Sequence, residues 1–411
     1  MACRGSTVRR SLAWTGLTTM QGISPMHTAS PTGIAWSIRG GYFWFYAAIG
    51  AFMPFAALYY RELGFDGIQI GLLTALPSLG MALLGPFLGA LADARALHRV
   101  LLRGGLALTA ITGLAISQAS AFAPIFILVG FLAIVTVPIP PLLDSYAMTT
   151  SEASDQSYGS LRVWGSLGYM GLTLAMGWLI GDSVSSIVLV GYGASLGLAL
   201  LSTIRLPPMA ERRPQSIIAG LGDILRNQRL VLLLVIAFLL ATCGALLNVY
   251  LGVHLEGLGA SSRLMGFAFA VSAAAELPII AGGGWILRRL GPVRLMMVAI
   301  GTYAIRFTIL SVIDQPALVV ASQLLHGLTF GAFLMASVTL AHQIAGRAHA
   351  ATAQSLLSAM SFGLGSITGA LIGGTMLDRI GTVGMYRVAA VVSLIALGIA
   401  IVGNRRINLG R

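Results

Sequence analysis

Lysine is absent from the 411-residue sequence, acidic residues number 13 and cysteine occurs twice. Without lysine there is no titrating amine and no phosphate-cradling glycine loop of the ATP-hydrolysing kind, which excludes an attached ATPase. Cys3 lies in a polar leader and Cys243 inside an apolar run, so neither a disulfide framework nor a cysteine metal site is available. Charge of either sign is scarce. Charged residues make up 9% of the chain, against about 25% in soluble globular proteins. So little charge cannot solvate a surface of this size, and most of the surface must face lipid. No nucleophile–base spacing, metal-ligand cluster or appended soluble domain is legible, which argues against an enzyme and against a metal or organic cofactor.

What the chain does contain is apolar length, with 57% hydrophobic residues. Apolar stretches run over 36–60, 68–92, 99–118, 122–149, 160–181, 184–204, 229–254, 264–287, 293–313, 317–345, 350–377 and 383–403. A hydrocarbon core of about 30 Å needs roughly 20 residues of helix, so these read as twelve membrane spans of an all-α polytopic protein. Residues 1–35 are polar and acid-free and lack the apolar core of about 7–15 residues that a secretory signal needs. They read as a flexible leader, or as a start placed too early, with Met20 or Met26 the true one. The break at 205–228 holds Arg205, Arg212, Arg213, Arg226, Pro207, Pro208 and Pro214. It separates two halves, 36–204 and 229–403, and a short tail follows at 404–411.

The net charge of +12 rests on 25 basic residues, all arginine. They are scattered through short connections rather than clustered in a stripe, which excludes a nucleic-acid surface. With both termini on one side, 20 of the 25 fall on that side, counting Arg162 at its edge. Arg61, Arg263, Arg379 and Arg387 fall on the other, and Arg306 lies within span 9. The excess of arginine in cytoplasmic loops places both termini in the cytoplasm. The halves also repeat: Gly71, Gly89 and Asp93 correspond to Gly266, Gly284 and Arg288 at a constant offset of 195. The 51 glycines suit close helix packing in lipid. Two parallel six-helix repeats with a solute site between them near the midplane are an established transporter plan.

Five ionisable residues stand where charge is most costly: Asp144, Arg162, Glu276, Arg306 and His326. Insertion scales put the cost at about 2.5–3.5 kcal/mol each, and such residues line polar cavities and pathways. Asp144 lies 8 residues before Glu152, and Arg162 lies 7 after Asp155, across one short loop. Neighbouring antiparallel spans bring the two to a similar height, where they can pair. Glu276 precedes Arg288 by 12 residues and Arg306 follows Arg294 by 12; at ~1.5 Å per residue both lie ~18 Å deep. His326 falls at the same level, and small shifts carry an imidazole across neutrality. Such pairs either hold helices together or serve transport; two clusters at cavity depth, one per half, favour transport. Tyr169, two turns after Arg162 on the same face, is either a stacking plate for a ring-shaped solute or an interfacial tyrosine.

The stretch Tyr158-Gly159-Ser160-Leu161-Arg162-Val163-Trp164-Gly165-Ser166-Leu167-Gly168 and the stretch Leu325-His326-Gly327-Leu328-Thr329-Phe330-Gly331 resemble the phenylpropionate-permease-like branch of the major facilitator superfamily. Pro141-Leu142-Leu143-Asp144 and Glu276-Leu277-Pro278 are similar to it as well, and the resemblance covers nearly all of 36–403. The five charges also resemble the pattern of the neighbouring oligosaccharide:proton symporters. That resemblance implies solute binding by Asp144 and Arg162, stacking on Tyr169, and proton coupling through Glu276, Arg306 and His326. Those symporters carry a second carboxylate one turn after the histidine; here Thr329 takes its place, which leaves Glu276 or His326 to carry any proton. The loop Gly89-Ala90-Leu91-Ala92-Asp93-Ala94-Arg95 is similar to the superfamily's cytoplasmic Gly-x-x-x-Asp-Arg motif, with the arginine shifted by one. It implies a charge latch formed by Gly89, Asp93 and Arg95; a solvated turn is the alternative.

The expectation is a major facilitator fold of twelve spans in two pseudo-symmetric six-helix bundles, working as a proton-coupled symporter. It would import a small organic solute by alternating access, with an aromatic or organic acid ahead of a sugar or nucleoside. A proton-coupled drug exporter and a membrane-embedded sensor are the rivals. The expected partners are the solute, the proton and the lipid of a bacterial inner membrane, with a monomer as the unit and no nucleic acid.

Overall fold

The computed structural model describes residues 31–153, 156–181, 186–209 and 226–407. Most of the leader, the middle of the 205–228 break and the last residues of the tail lie outside the described residues. Everything described is helix or short connection. Nine continuous helical runs among the described residues are long and apolar enough to cross a membrane. The last of them, Thr352–Arg405, is two spans joined at Gly381, where φ is 65°. The more polar Tyr158–Leu179 and the 17-residue Ile187–Thr203 complete the twelve.

Local chemistry sets where helices begin and bend. Asp66 caps the helix Gly67–Ala94 in a capping box with Gln69, and Ser157, Asn227 and Ser261 cap Tyr158–Leu179, Gln228–Gly257 and Ser262–Ala281. Each accepts from an otherwise unpaired N–H of the first turn. Span 1 runs from Pro31–Phe52 through a 3₁₀ turn at Met53–Phe55 into Ala56–Glu62, the turn falling at Pro54, which cannot donate to the helix ladder. Spans 10 and 11 meet at Gly346, whose φ of 66° only glycine adopts freely. Helix is already present at Pro31, the first described residue, ahead of the sequence-based start of span 1 at 36.

Packing follows the repeat. Span 1 lies along spans 5 and 6, while span 7 lies along span 11. Glycines permit both approaches: Gly168 sits on the Phe43 backbone, Gly50 on Tyr169, and Gly369 and Gly373 on Thr242 and Tyr250. Between the halves the repeat-related glycines do the same work. A Cβ on Gly71 (span 2) would lie 2.7 Å from the Ala370 carbonyl of span 11, and one on Gly266 (span 8) would lie 2.7 Å from the Thr173 carbonyl of span 5. Gly67 and Gly374 touch, as do Gly177 and Ser262. These contacts all lie at the arginine-poor face. There Arg61 pairs with Glu256 at 2.9 Å, the Gly67 N–H donates to Asp378 at 2.9 Å, and the Ser262 hydroxyl donates to the Gly181 carbonyl. At the other end of span 2, no neighbouring atom of the described residues, the helix's own backbone aside, lies within 4 Å of a Cβ position on Gly89. The halves are therefore sealed at the arginine-poor face, and the space between them lies beneath that seal.

Candidate functional site

A cavity of about 360 Å³ occupies the space between the halves. Tyr46, Arg162, Ser166 and Tyr169 line one wall; Asn248, Ser272, Glu276, His326 and Phe330 line the other. Arg162, Ser166 and Tyr169 share one face of Tyr158–Leu179, as 3.6 residues per turn require. Four of the five intramembrane charges thus lie in or beside this space. Asp144 does not line it.

In the first half, Asp144 is held from two sides. The Tyr42 hydroxyl donates to its carboxylate at 2.5 Å and the Tyr158 hydroxyl at 3.1 Å. Arg162 lies over the Tyr46 ring at 4.2 Å and over Tyr42 at 5.4 Å. No direct ion pair joins Asp144 to Arg162 among the described residues. The expected pairing is therefore replaced by an indirect link through Tyr42, whose hydroxyl serves the acid and whose ring serves the guanidinium. The aromatic plate under Arg162 is likewise Tyr46, from span 1; Tyr169 lines the cavity two turns further on.

In the second half, span 10 is irregular where the polar groups cluster. Pro316–Ser322 tightens into a 3₁₀ turn at Gln323–Leu325 and then widens into a π turn at Gly327–Gly331. Gly327 packs directly on the Ala275 carbonyl of span 8, a contact that any side chain would block. This approach brings His326 Nε2 to 2.8 Å from Glu276 Oε1. Arg306, only 1% exposed, donates to His326 Nδ1 at 2.9 Å, to Thr329 Oγ1 at 3.1 Å and to Gln323 Oε1 at 2.5 Å. The Ser272 hydroxyl donates to the same Gln323 oxygen at 3.0 Å. A ring of contacts thus runs through Ser272, Gln323, Arg306, His326 and Glu276 across spans 8, 9 and 10.

The donor inventory fixes the protons in that ring. Guanidinium only donates, so His326 Nδ1 must accept, and the imidazole hydrogen sits on Nε2 facing Glu276. His326 is neutral while both contacts stand. Of the groups in this ring, only the Glu276 carboxylate can accept a proton from the cavity without breaking a contact.

Gly89 and Arg95 sit at the arginine-rich end of span 2. The Arg95 side chain is exposed and has no ion pair among the described residues, and its N–H closes the helix on Leu91. The Asp93 side chain lies outside the described residues. Among the described residues no cluster of three or more His, Cys, Asp or Glu could hold a metal. Charge alone does not reveal Tyr42, Tyr158, Ser272 or Gln323. Two had a signal in the sequence: Ser272 lies one turn before Glu276, and Gln323 three residues before His326, both polar on the face already carrying the ionisable group.

The same architecture recurs among known proteins. The chain is 28% identical to the maltose permease of Geobacillus stearothermophilus, over 82% of this chain and 86% of that protein. It is 25% identical to a probable 3-phenylpropionic acid transporter of Escherichia coli (strain K12), over 87% and 94% of the two chains. Among solved structures, the nucleoside transporter NupG superposes with a TM-score of 0.80 at 19% identity, covering 90% of this chain and 98% of that one. The model of the MFS_1 like family matches residues 35–388. Twelve helices in two related halves, a polar cavity between them and this match together make the chain a member of the MFS_1 like family, a multi-pass membrane secondary transporter and not an enzyme.

Proposed function

We propose that the chain is a proton-coupled symporter that imports a small organic acid through the cavity between its halves. The observation that carries this reading is the cavity's opposed charge. Arg162, stacked on Tyr46 and without an acidic partner among the described residues, faces the His326–Glu276 pair across about 360 Å³. Such a guanidinium suits a carboxylate, and its planar fork adds geometric selection. The rings of Tyr46, Tyr169 and Phe330 give a flat apolar body a place to lie. Asp144 acts behind this surface by holding Tyr42, and through it the position of Arg162. The site is complete within one chain, so a monomer is the working unit.

Coupling is assigned to Glu276. Its bond from His326 is charge-assisted, and such bonds are roughly twice as strong as neutral ones. Protonation weakens the link between spans 8 and 10 at the point where Gly327 holds them together. Solute and proton move the equilibrium between inward- and outward-facing states only by binding one state better. With the arginine-rich face in the cytoplasm, the seal at the opposite face makes the arrangement inward-facing. Gly89, Asp93 and Arg95 would then latch the cytoplasmic side in the opposite state.

The test is uptake of labelled 3-phenylpropionate into proteoliposomes under an imposed pH gradient. Accumulation should follow the gradient in the native chain and vanish in Glu276→Gln, while exchange without a gradient persists. Intact gradient-driven accumulation in Glu276→Gln would sink the coupling assignment. A second reading, symport of a sugar or nucleoside, is supported by the likeness to maltose permease; accumulation of maltose or uridine in place of the acid would establish it.

A further inference from the structure

A second cavity, of about 110 Å³, lies inside the C-terminal half between spans 7, 9, 10 and 11. One water needs ~10–15 Å³ on this measure, so the space admits a ring bearing a carboxylate. It meets the central cavity at His326 and Phe330 and extends towards Gln354, at the arginine-rich end. Its walls are mostly apolar, aliphatic and aromatic, with serines among them, and among the described residues Arg306 is the sole permanent charge lining it. Arg306 has five N–H groups. Three are used on His326, Thr329 and Gln323, and its buried Nε has no partner. Neither of the unused N–H groups meets a carboxylate among the described residues.

A separate observation marks the same place. The π turns at Gly327–Gly331 and Ala359–Gly365 flank this cavity from two spans. They carry Phe330 and Phe362 into edge-to-face contact at 6.4 Å in its wall. π turns are uncommon and concentrate at functional sites.

We propose that this inner cavity binds the carboxylate of a small aromatic monoanion on Arg306, and that each anion bound brings one proton onto Glu276. Charge balance supplies the second half. The set holds one buried cation, Arg306, one anion, Glu276, at the central cavity wall with its side chain 23% exposed, and a neutral imidazole. A further anion leaves the set one negative charge in excess, and unpaired buried charge is costly. His326 cannot take the compensating proton while Arg306 occupies Nδ1. Glu276 can, and the remaining ionisable groups that face it are Arg306 and Tyr303 on span 9, and Arg162, Tyr169 and Tyr46 across the central cavity. An acid bound here enters with its proton and carries no net charge. The inner cavity is a second site beside the Arg162 site of the symport reading, and the inference rests on that reading for the route by which the proton leaves.

The experiment is titration calorimetry on the purified full-length protein in detergent. Benzoate is the probe, benzamide its uncharged counterpart, and two buffers of different ionisation enthalpy report the protons taken up. Benzoate should bind at least tenfold more tightly than benzamide, with close to one proton per anion, and Glu276→Gln should bind it with none. Ser358→Phe, which fills the cavity from an exposed position, should lose benzoate, whereas Val391→Ala, exposed and in the wall of neither cavity, should keep it. Equal affinities for the two probes, no binding of either, or binding without proton uptake would each overturn the proposal. Loss in Arg162→Ala with retention in Ser358→Phe would also overturn it, placing the anion in the central cavity instead. Binding is read without a gradient, so absence of gradient-driven flux would strike the transport reading and leave these outcomes intact.

Discussion

Gly266→Ala should open the arginine-poor face. A Cβ at Gly266 would sit 2.7 Å from the Thr173 carbonyl oxygen and 3.1 Å from the Gly177 Cα, where ordinary carbon contacts begin at about 3.5 Å. Spans 5 and 8 must therefore part by roughly 0.5–1 Å, and neither obstacle is a side chain that could swing aside. Overpacking of this kind costs about 1–3 kcal/mol, and the cost falls on the sealed state alone. The sealed-to-open ratio should drop by about 5–150-fold. Gly71→Ala strikes the equivalent contact with Ala370 on span 11. The two contacts share no residue, so their effects should add. Gly89→Ala is the control, since among the described residues no neighbour lies within 4 Å of its Cβ position. The assay is alkylation of Phe269→Cys, in the cavity wall, by an impermeant maleimide applied from the arginine-poor side. Replacing Cys3 and Cys243 by serine removes the other thiols. A labelling rate in Gly71→Ala/Gly266→Ala no higher than in Gly89→Ala would refute the reasoning.

Three further changes probe the site and its supports. Gly327→Ala must push span 10 off the Ala275 carbonyl at about 1–3 kcal/mol and lengthen the His326–Glu276 contact; gradient-driven uptake should fall while expression holds, and unchanged uptake would separate that contact from coupling. Tyr42→Phe removes a hydrogen bond to a carboxylate worth about 1.5–3 kcal/mol; thermal unfolding in detergent should shift down, and adding Asp144→Asn should recover part of the loss. Among the described residues, Ala96 is the non-glycine residue with φ in the left-handed region, at 50°, a conformation costing about 1–2 kcal/mol for an L-residue. Ala96→Gly should therefore raise the unfolding temperature, whereas Ala96→Val should lower it.

Span number, repeat and depth were legible because each follows from a one-dimensional quantity: apolar length, glycine offset and rise per residue. Depth placed Glu276, Arg306 and His326 at one level, and the structure has them in contact. Partner choice was not legible in the same way. Asp144 and Arg162 stand at matching heights, yet depth says nothing of rotation about a helix axis, and it is rotation that points Asp144 at Tyr42 and Tyr158. The uncharged members of the ring, Ser272 and Gln323, carry no charge to mark them, although each is polar on the face that bears an ionisable group. The switch from 3₁₀ to π within span 10 has no signature in hydropathy. It coincides with the close approach at Gly327, a tertiary contact that no local window contains.

The two halves share a scaffold but resolve their buried charges in opposite senses. In the first, two tyrosine hydroxyls satisfy the acid, Asp144, and the cation, Arg162, is left facing the cavity on an aromatic bed. In the second, three neutral acceptors hold the cation, Arg306, away from the central cavity, and the acid, Glu276, is left at the cavity wall behind a neutral imidazole. Each half therefore hides one sign and presents the other, so cation faces anion across the space between them. Mutual attraction across that space draws the halves together when the cavity is empty and Glu276 is ionised. A proton on Glu276 removes one end of the attraction, and an anion on Arg162 removes the other. Either event alone leaves an unbalanced charge facing the cavity, whereas both together leave none. In the proposed symport that pairing of events is what couples solute to proton, and the proposal rests on which charge each half conceals.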